Sequence, residues 1–129
     1  MDEGVTGGTG AGEWLPSAFG RACLLLLLRE APGHGYDLLE RLRAFGLERD
    51  PGGLYRSLRA MEHQGLLRSR WEPSLIGPDR RRYELTPQGA DWLDGVAPLL
   101  AEAQRAVTSF LARHQALAAV GDPGSGLVG

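Results

Sequence analysis

Apolar positions along the chain change their spacing several times, and each change marks an element. From Ser17 to Glu30 almost every position is apolar, with Cys23 and the run Leu24 to Leu28 closely bracketed by Arg21 and Arg29. This predicts a helix buried over most of its surface, which Ala31, Pro32 and Gly33 then end. Between Tyr36 and Phe45, Leu38, Leu39, Leu42 and Phe45 recur at helical spacing, and Gly46 is placed to close this second helix in a left-handed conformation. Asp50 followed by Pro51 is a start signal, a carboxylate to cap free N–H groups and a ring pre-set for the first helical position. A third helix runs from there to about Gln64, with Leu54, Leu58 and Met61 inward, Gly65 as its stop, and Arg56, Arg59 and His63 on the remaining face.

Strand-like alternation replaces the helical period after Gly65. Leu66 to Glu72 and Arg80 to Leu85 read as strands, joined by turn residues between Pro73 and Asp79, which together predict a hairpin wing. Thr86 and Pro87 repeat the cap-plus-proline signal and open a long helix through about Ala119. Within it Leu93, Val96, Leu100, Ala103, Val107, Phe110, His114 and Leu117 alternate spacings of three and four, the pattern of a left-handed helix–helix seam. Pro98 falls inside this helix and should kink it near Asp94 or Gly95, or interrupt it there. The expected fold class is mainly α with a small β-hairpin wing: a winged helix-turn-helix followed by a long dimerisation helix. Its boundaries are a Gly-rich tail at 1–13, the winged domain at 14–86, the dimerisation helix at 87–119 and a second tail at 120–129.

Charge sharpens this picture. Residues 41–82 carry 10 Arg against 5 acids, a balance of +5, in a chain whose net charge is −2. The positive potential is therefore confined to one segment, the footprint of a polyanion bound at one place. All of the basic residues are Arg, whose planar fork suits phosphates and guanine edges. The candidate DNA contacts are Gly52, Gly53, Tyr55, Arg56 and Arg59 at and beyond the third helix's start, and Arg80, Arg81 and Arg82 on the wing. Arg56 and Arg59 are candidates for bases and the wing arginines for the backbone or minor groove. Gly52 and Gly53 admit two readings, close approach of a phosphate to the helix N-terminus or a tight turn that needs glycine.

Length and composition bound the rest. At 129 residues the chain is one domain in size and marginal as a monomer, so self-association through Leu93, Val96, Leu100, Ala103, Val107 and Phe110 is expected. The single cysteine cannot form an internal disulfide, which suits a reducing cytoplasm. The leucine run is too short for a membrane span, and the first residues lack the pattern of a secretory signal. His34, His63 and His114 lack metal-ligand spacing and no Ser or Cys has an evident base partner, so neither an enzyme nor a cofactor is expected. Trp71, on a wing strand, is expected in the core. Trp14, Trp92 and Val96 are candidates for contact with a small aromatic or hydrophobic effector, against plain packing.

Several motifs in order resemble the PadR-like transcriptional regulators in their short form with one C-terminal helix, over about residues 18 to 117. They are His34, Gly35, Tyr36 at the second helix; Gly52, Gly53, Leu54, Tyr55, then Leu58, Gly65 and Leu66; and Gly77 through Arg80, Arg81, Tyr83, Leu85, Thr86 and Gly89. Arg56 stands where that family commonly has proline, Gly53 where it has Ser or Thr, and Arg82 where an aromatic is frequent. The resemblance implies a homodimeric repressor on an inverted-repeat operator in double-stranded DNA, with its C-terminal helices crossed and an inducing ligand near their junction. The alternative is a winged-helix interaction module whose basic face meets an acidic protein.

Overall fold

The computed structural model describes residues 17–121. The tail expected at 1–13, Trp14, and the second tail beyond Gly121 lie outside the described residues. The element order is α1 (Ser17–Glu30), β1 (Gly33–His34), α2 (Gly35–Leu42) with a 3-10 turn at Arg43–Phe45, α3 (Pro51–His63), β2 (Leu67–Glu72), β3 (Arg80–Leu85) and α4 (Pro87–Ala119). The chain divides into two compact units that meet within α4, one ending at Asp94 and the other beginning at Gly95.

The first unit is built on leucine. Leu24, Leu25 and Leu28 of α1, Leu38 and Leu42 of α2, Leu54, Leu58 and Met61 of α3, and Leu67 of β2 are all buried. Fully burying one such side chain is worth about 1.5–3 kcal/mol. The helix ends are set locally. Asp50 accepts a hydrogen bond from the Gly53 N–H at 2.9 Å, Gly46 closes the second helical segment at φ 73°, and Gly65 ends α3 at φ 81°. Thr86 caps α4 by accepting from the Gly89 N–H at 3.0 Å while its hydroxyl donates to the Gly65 carbonyl at 2.6 Å. Arg41 donates to the Leu27 and Ala31 carbonyls at the end of α1, the Leu27 carbonyl accepting from the Ala31 N–H as well. Cys23 is buried among the leucines, and burial pushes its thiol up to about 11.

The sheet has three strands, not the two of a simple hairpin. Its order is β1-β3-β2, all antiparallel, with Gly33 opposite Tyr83 and His34 opposite Arg82 on one edge of β3, and Leu67 opposite Leu85 through Glu72 opposite Arg80 on the other. Trp71 is not in the core: it is 61% exposed, two residues beyond Ser69, the position on its face that meets Glu62 of α3. Leu93, read from its heptad position as part of an intermolecular seam, is buried in the first unit instead.

In the second unit α4 continues unbroken through Pro98, so the interrupted alternative does not occur. Val96 and Leu100 are half-buried, and every residue from Ala101 to Gly121 is exposed. Val107, Phe110, Leu111 and Leu117 are each more than half exposed, and the Phe110 ring stacks on His114 at 6.2 Å.

Candidate nucleic-acid interface

The outward side of α3 follows from its inward side. With Leu54, Leu58 and Met61 turned into the core, Gly52, Arg56, Arg59 and His63 fall on the opposite side of the helix at spacings of four and three. Arg56 and Arg59 are exposed and have no ion-pair or hydrogen-bond partner among the described residues. Asp50 already occupies the start of the helix. Its bond from Gly53 holds its carboxyl below the usual carboxylate range, with the charges of Arg56 and Arg49 adding to the effect. A Cβ at Gly53 would stand 2.9 Å from the Asp50 Oδ1 and one at Gly52 3.2 Å from its Oδ2. The nearest neighbour of both glycines is thus the capping carboxylate, which a small side-chain shift would carry clear of an added Cβ.

The wing adds a second basic element, and strand alternation divides its arginines. Arg81 shares a face with Tyr83, Ser69 and Trp71, the face turned toward α3; Arg80 and Arg82 share the other with Arg70 and Glu72. On the α3 side, Arg81 Nε donates to Ser69 Oγ at 2.7 Å, and the Ser69 hydroxyl donates to Glu62 Oε2 on α3 at 2.8 Å. The Arg81 guanidinium also lies 4.9 Å from the Trp71 ring centre. Between α3, the start of α2 and the wing lies a groove of about 610 Å³, lined by Tyr36, Tyr55, Arg59, Trp71, Arg80 and Arg81 among others. Tyr55 packs its ring on Gly35, where a Cβ would come within 2.4 Å of it.

Arg82 is not brought together with this group. It faces Glu72 at 3.8 Å, and Glu72 in turn lies 2.9 Å from His34 Nε2. The His34 hydrogen bond, helped by the charges of Arg82 and Arg70, keeps the Glu72 carboxyl below its ordinary value. Of the effector candidates, Trp92 is half-buried with Arg21 over its ring at 6.0 Å, and lines a second groove of about 620 Å³ with Arg49, Arg56 and Ser57. Val96 is half-buried in the second unit. Trp71 and Tyr36, both exposed beside Arg59 and Arg81, belong to the site and were not among the residues expected there. An aromatic on a wing strand next to an arginine pair was the signal that could have found Trp71.

A helix with an exposed arginine face, seated beside a basic hairpin on a small leucine core, defines the winged helix-turn-helix class. Residues 24–94 match the model of the transcriptional regulator PadR-like family, more than half of the chain, and the chain belongs to that family. Among solved structures, it is similar to a conserved protein of unknown function described as a potential transcriptional factor (32% identity, 85% of this chain and 96% of that one, TM-score 0.67). It is also similar to a PadR family transcriptional regulator from Eggerthella lenta (27% identity, 74% and 86%, TM-score 0.61). The Bacillus subtilis PadR in complex with operator DNA shares the fold (20% identity, 62% of this chain and 47% of that one, TM-score 0.57). No curated protein matches. The family is one of transcriptional regulators, not of enzymes. No described helix is long and apolar enough to cross a membrane, and no cluster of metal-ligating side chains occurs among the described residues.

Proposed function

We propose that this protein is a homodimeric repressor that binds an inverted-repeat operator in double-stranded DNA. The observation that carries the reading is the alignment of Arg56 and Arg59 along the outward side of α3, beside a wing whose Arg81 is hydrogen-bonded and stacked in place. In this assignment Arg59 and Arg56 enter the major groove and meet guanine edges, each good pair being worth about 1–3 kcal/mol. Arg80 and Arg81 hold the phosphate backbone, and Tyr55 adds its hydroxyl to a phosphate. Gly52 and Gly53 serve the Asp50 cap, and Arg82 braces the sheet through Glu72.

The exposed apolar residues of α4 support the dimer. Ala103, Val107 and Phe110 would be covered by the same residues of a second copy, with Val96 and Leu100 at the edge of that seam, an isologous arrangement that presents two reading heads. Trp92 is the proposed effector contact. A ligand there would release DNA only by preferring one spacing of the two heads over the other. The proposed location is the cytoplasm, which suits a protein that binds genomic DNA.

Footprinting and salt-titrated binding on a duplex selected from a randomised pool test this function. A dimer neutralising about 6–8 phosphates should lose affinity with a log–log salt slope of about −5 to −7 while still preferring its selected site over random duplex. Equal affinity for both duplexes, or no protection at moderate salt, would replace the repressor with a module that uses its basic face on an acidic protein.

A further inference from the structure

The wing ends in two apolar side chains that no described residue covers. Leu75 is 104% exposed and Ile76 89%, and both stand beyond the last paired residues of the hairpin, Glu72 and Arg80. Their turn is ordered by its own bonds. The Ser74 hydroxyl accepts from the Ile76 N–H at 3.3 Å and donates to the Ile76 carbonyl at 3.1 Å, and Gly77 follows at φ 101° with open space around it. Pro73 and Pro78 stiffen the two sides. The stem below is basic: Arg68, Arg70, Arg80, Arg81 and Arg82 stand against Glu72, Asp79 and Glu84.

An apolar tip on a cationic stem complements a polyanion whose interior is apolar, and duplex DNA is such a partner. We infer that Leu75 and Ile76 act as a wedge in the minor groove, partly separating a base step and bending the operator toward its major groove. The inference rests on the DNA-binding function proposed above. Chain length sets the upper limit of its reach: three residues on either side of Ile76 span at most about 10 Å beyond the last strand pair at roughly 3.3 Å per residue, against a minor groove about 7.5 Å deep. Apolar wedges of this kind unstack a step and kink DNA by about 20–90°. Arg80 and Arg81 supply the phosphate contacts that hold the tip at the groove floor, and pyrimidine–purine steps, which unstack most easily, would be favoured beneath it.

The experiment compares the full chain with its Leu75→Ser/Ile76→Ser double variant on a selected operator duplex, end-labelled for energy transfer and carrying 2-aminopurine at the step under the wing. The wild type should bring the ends closer, by a bend of about 20° or more, and raise 2-aminopurine emission severalfold. The double variant, whose changed residues lie outside the core, should footprint the same site with an unchanged salt slope while losing both signals. A footprint without bend or emission change in the wild type would overturn the wedge and leave the repressor standing. So would equal signals from both proteins. Loss of self-association in the double variant without DNA would assign the tip to a protein contact, and no footprint at all would overturn both proposals.

Discussion

Gly89→Ala sets two forces against each other. Gly89 lies in the first turn of α4, where helix propensity favours Ala over Gly by about 1 kcal/mol. Packing opposes it, since a Cβ there would stand 2.1 Å from the Leu66 carbonyl oxygen and 2.6 Å from Leu85 Cδ1, whereas ordinary contact begins at 3.4 Å. The obstructing atom is backbone, tied to the Thr86 N–H at 3.2 Å, so the start of α4 must retreat by more than an ångström. That retreat loosens the bond from Thr86 to the Gly65 carbonyl and the cap at the Gly89 N–H. Overpacking costs about 1–3 kcal/mol and each loosened hydrogen bond about 1 kcal/mol. After the propensity gain the net loss is about 2–4 kcal/mol, a fall in Tm on the order of 10–20 °C for a domain of this size. Urea and thermal unfolding followed by circular dichroism would measure it, at one protein concentration because the proposed association would contribute to stability. Gly95→Ala is the control, in the same helix with nothing within 4 Å, and should gain up to about 1 kcal/mol. A Gly89→Ala protein as stable as the wild type, or shifted equally with Gly95→Ala, would refute the packing argument.

Further outcomes concern binding, assembly and pH. Arg59→Ala should relax base preference at one operator position, Arg81→Ala should weaken all duplexes alike and shrink the salt slope by about one unit, and Arg82→Ala should leave the slope nearly unchanged; salt-titrated anisotropy on cognate and random duplex separates the three. Phe110→Glu should convert the proposed dimer to monomer in sedimentation equilibrium while leaving the helical signal intact; a persisting dimer would move the interface elsewhere. Because the Asp50 carboxyl is held below its usual value, its contribution is present above the ordinary carboxylate range and lost as the pH falls through the lowered value. Acid unfolding of Asp50→Asn should lack that component. Burial raises the Cys23 thiol to about 11 from an ordinary 9.0, so the unfolded chain ionises first and stability falls as the pH rises between those values. Iodoacetamide at pH 8 should label Cys23 quickly in urea and slowly in the folded protein; equal rates would contradict its burial.

The helices were legible because their signals are local. Asp50–Pro51 and Thr86–Pro87 mark two starts, Gly46 and Gly65 mark two stops, and the structure places these elements within a residue or two of their expected bounds. What the chain hid depends on distance. β1 is two residues long and is a strand only because Tyr83 and Arg82, far along the sequence, lie opposite it. Alternation put Trp71 on the same face as Leu67, yet a pattern of faces does not say where the helical layer stops. Leu93 shows the same limit, since its heptad position marks an apolar seam without saying which body covers it. Three consecutive arginines looked like one patch, and the period-two geometry of a strand sends Arg81 to one side and Arg82 to the other.

The two-residue strand β1 sits immediately ahead of α2, so the sheet edge opposite the hairpin is sewn to the helical layer, while the Glu62, Ser69 and Arg81 chain sews the wing to α3. Fastened at both places, α3 and the wing form a gauge of fixed span. On the proposed docking, such a gauge would measure DNA as well as read it: a duplex whose minor groove is too wide, or too far from the bases proposed to meet Arg56 and Arg59, would have to deform to be gripped. Selection from a randomised pool would then enrich flanking sequences of matching groove width at positions no side chain touches.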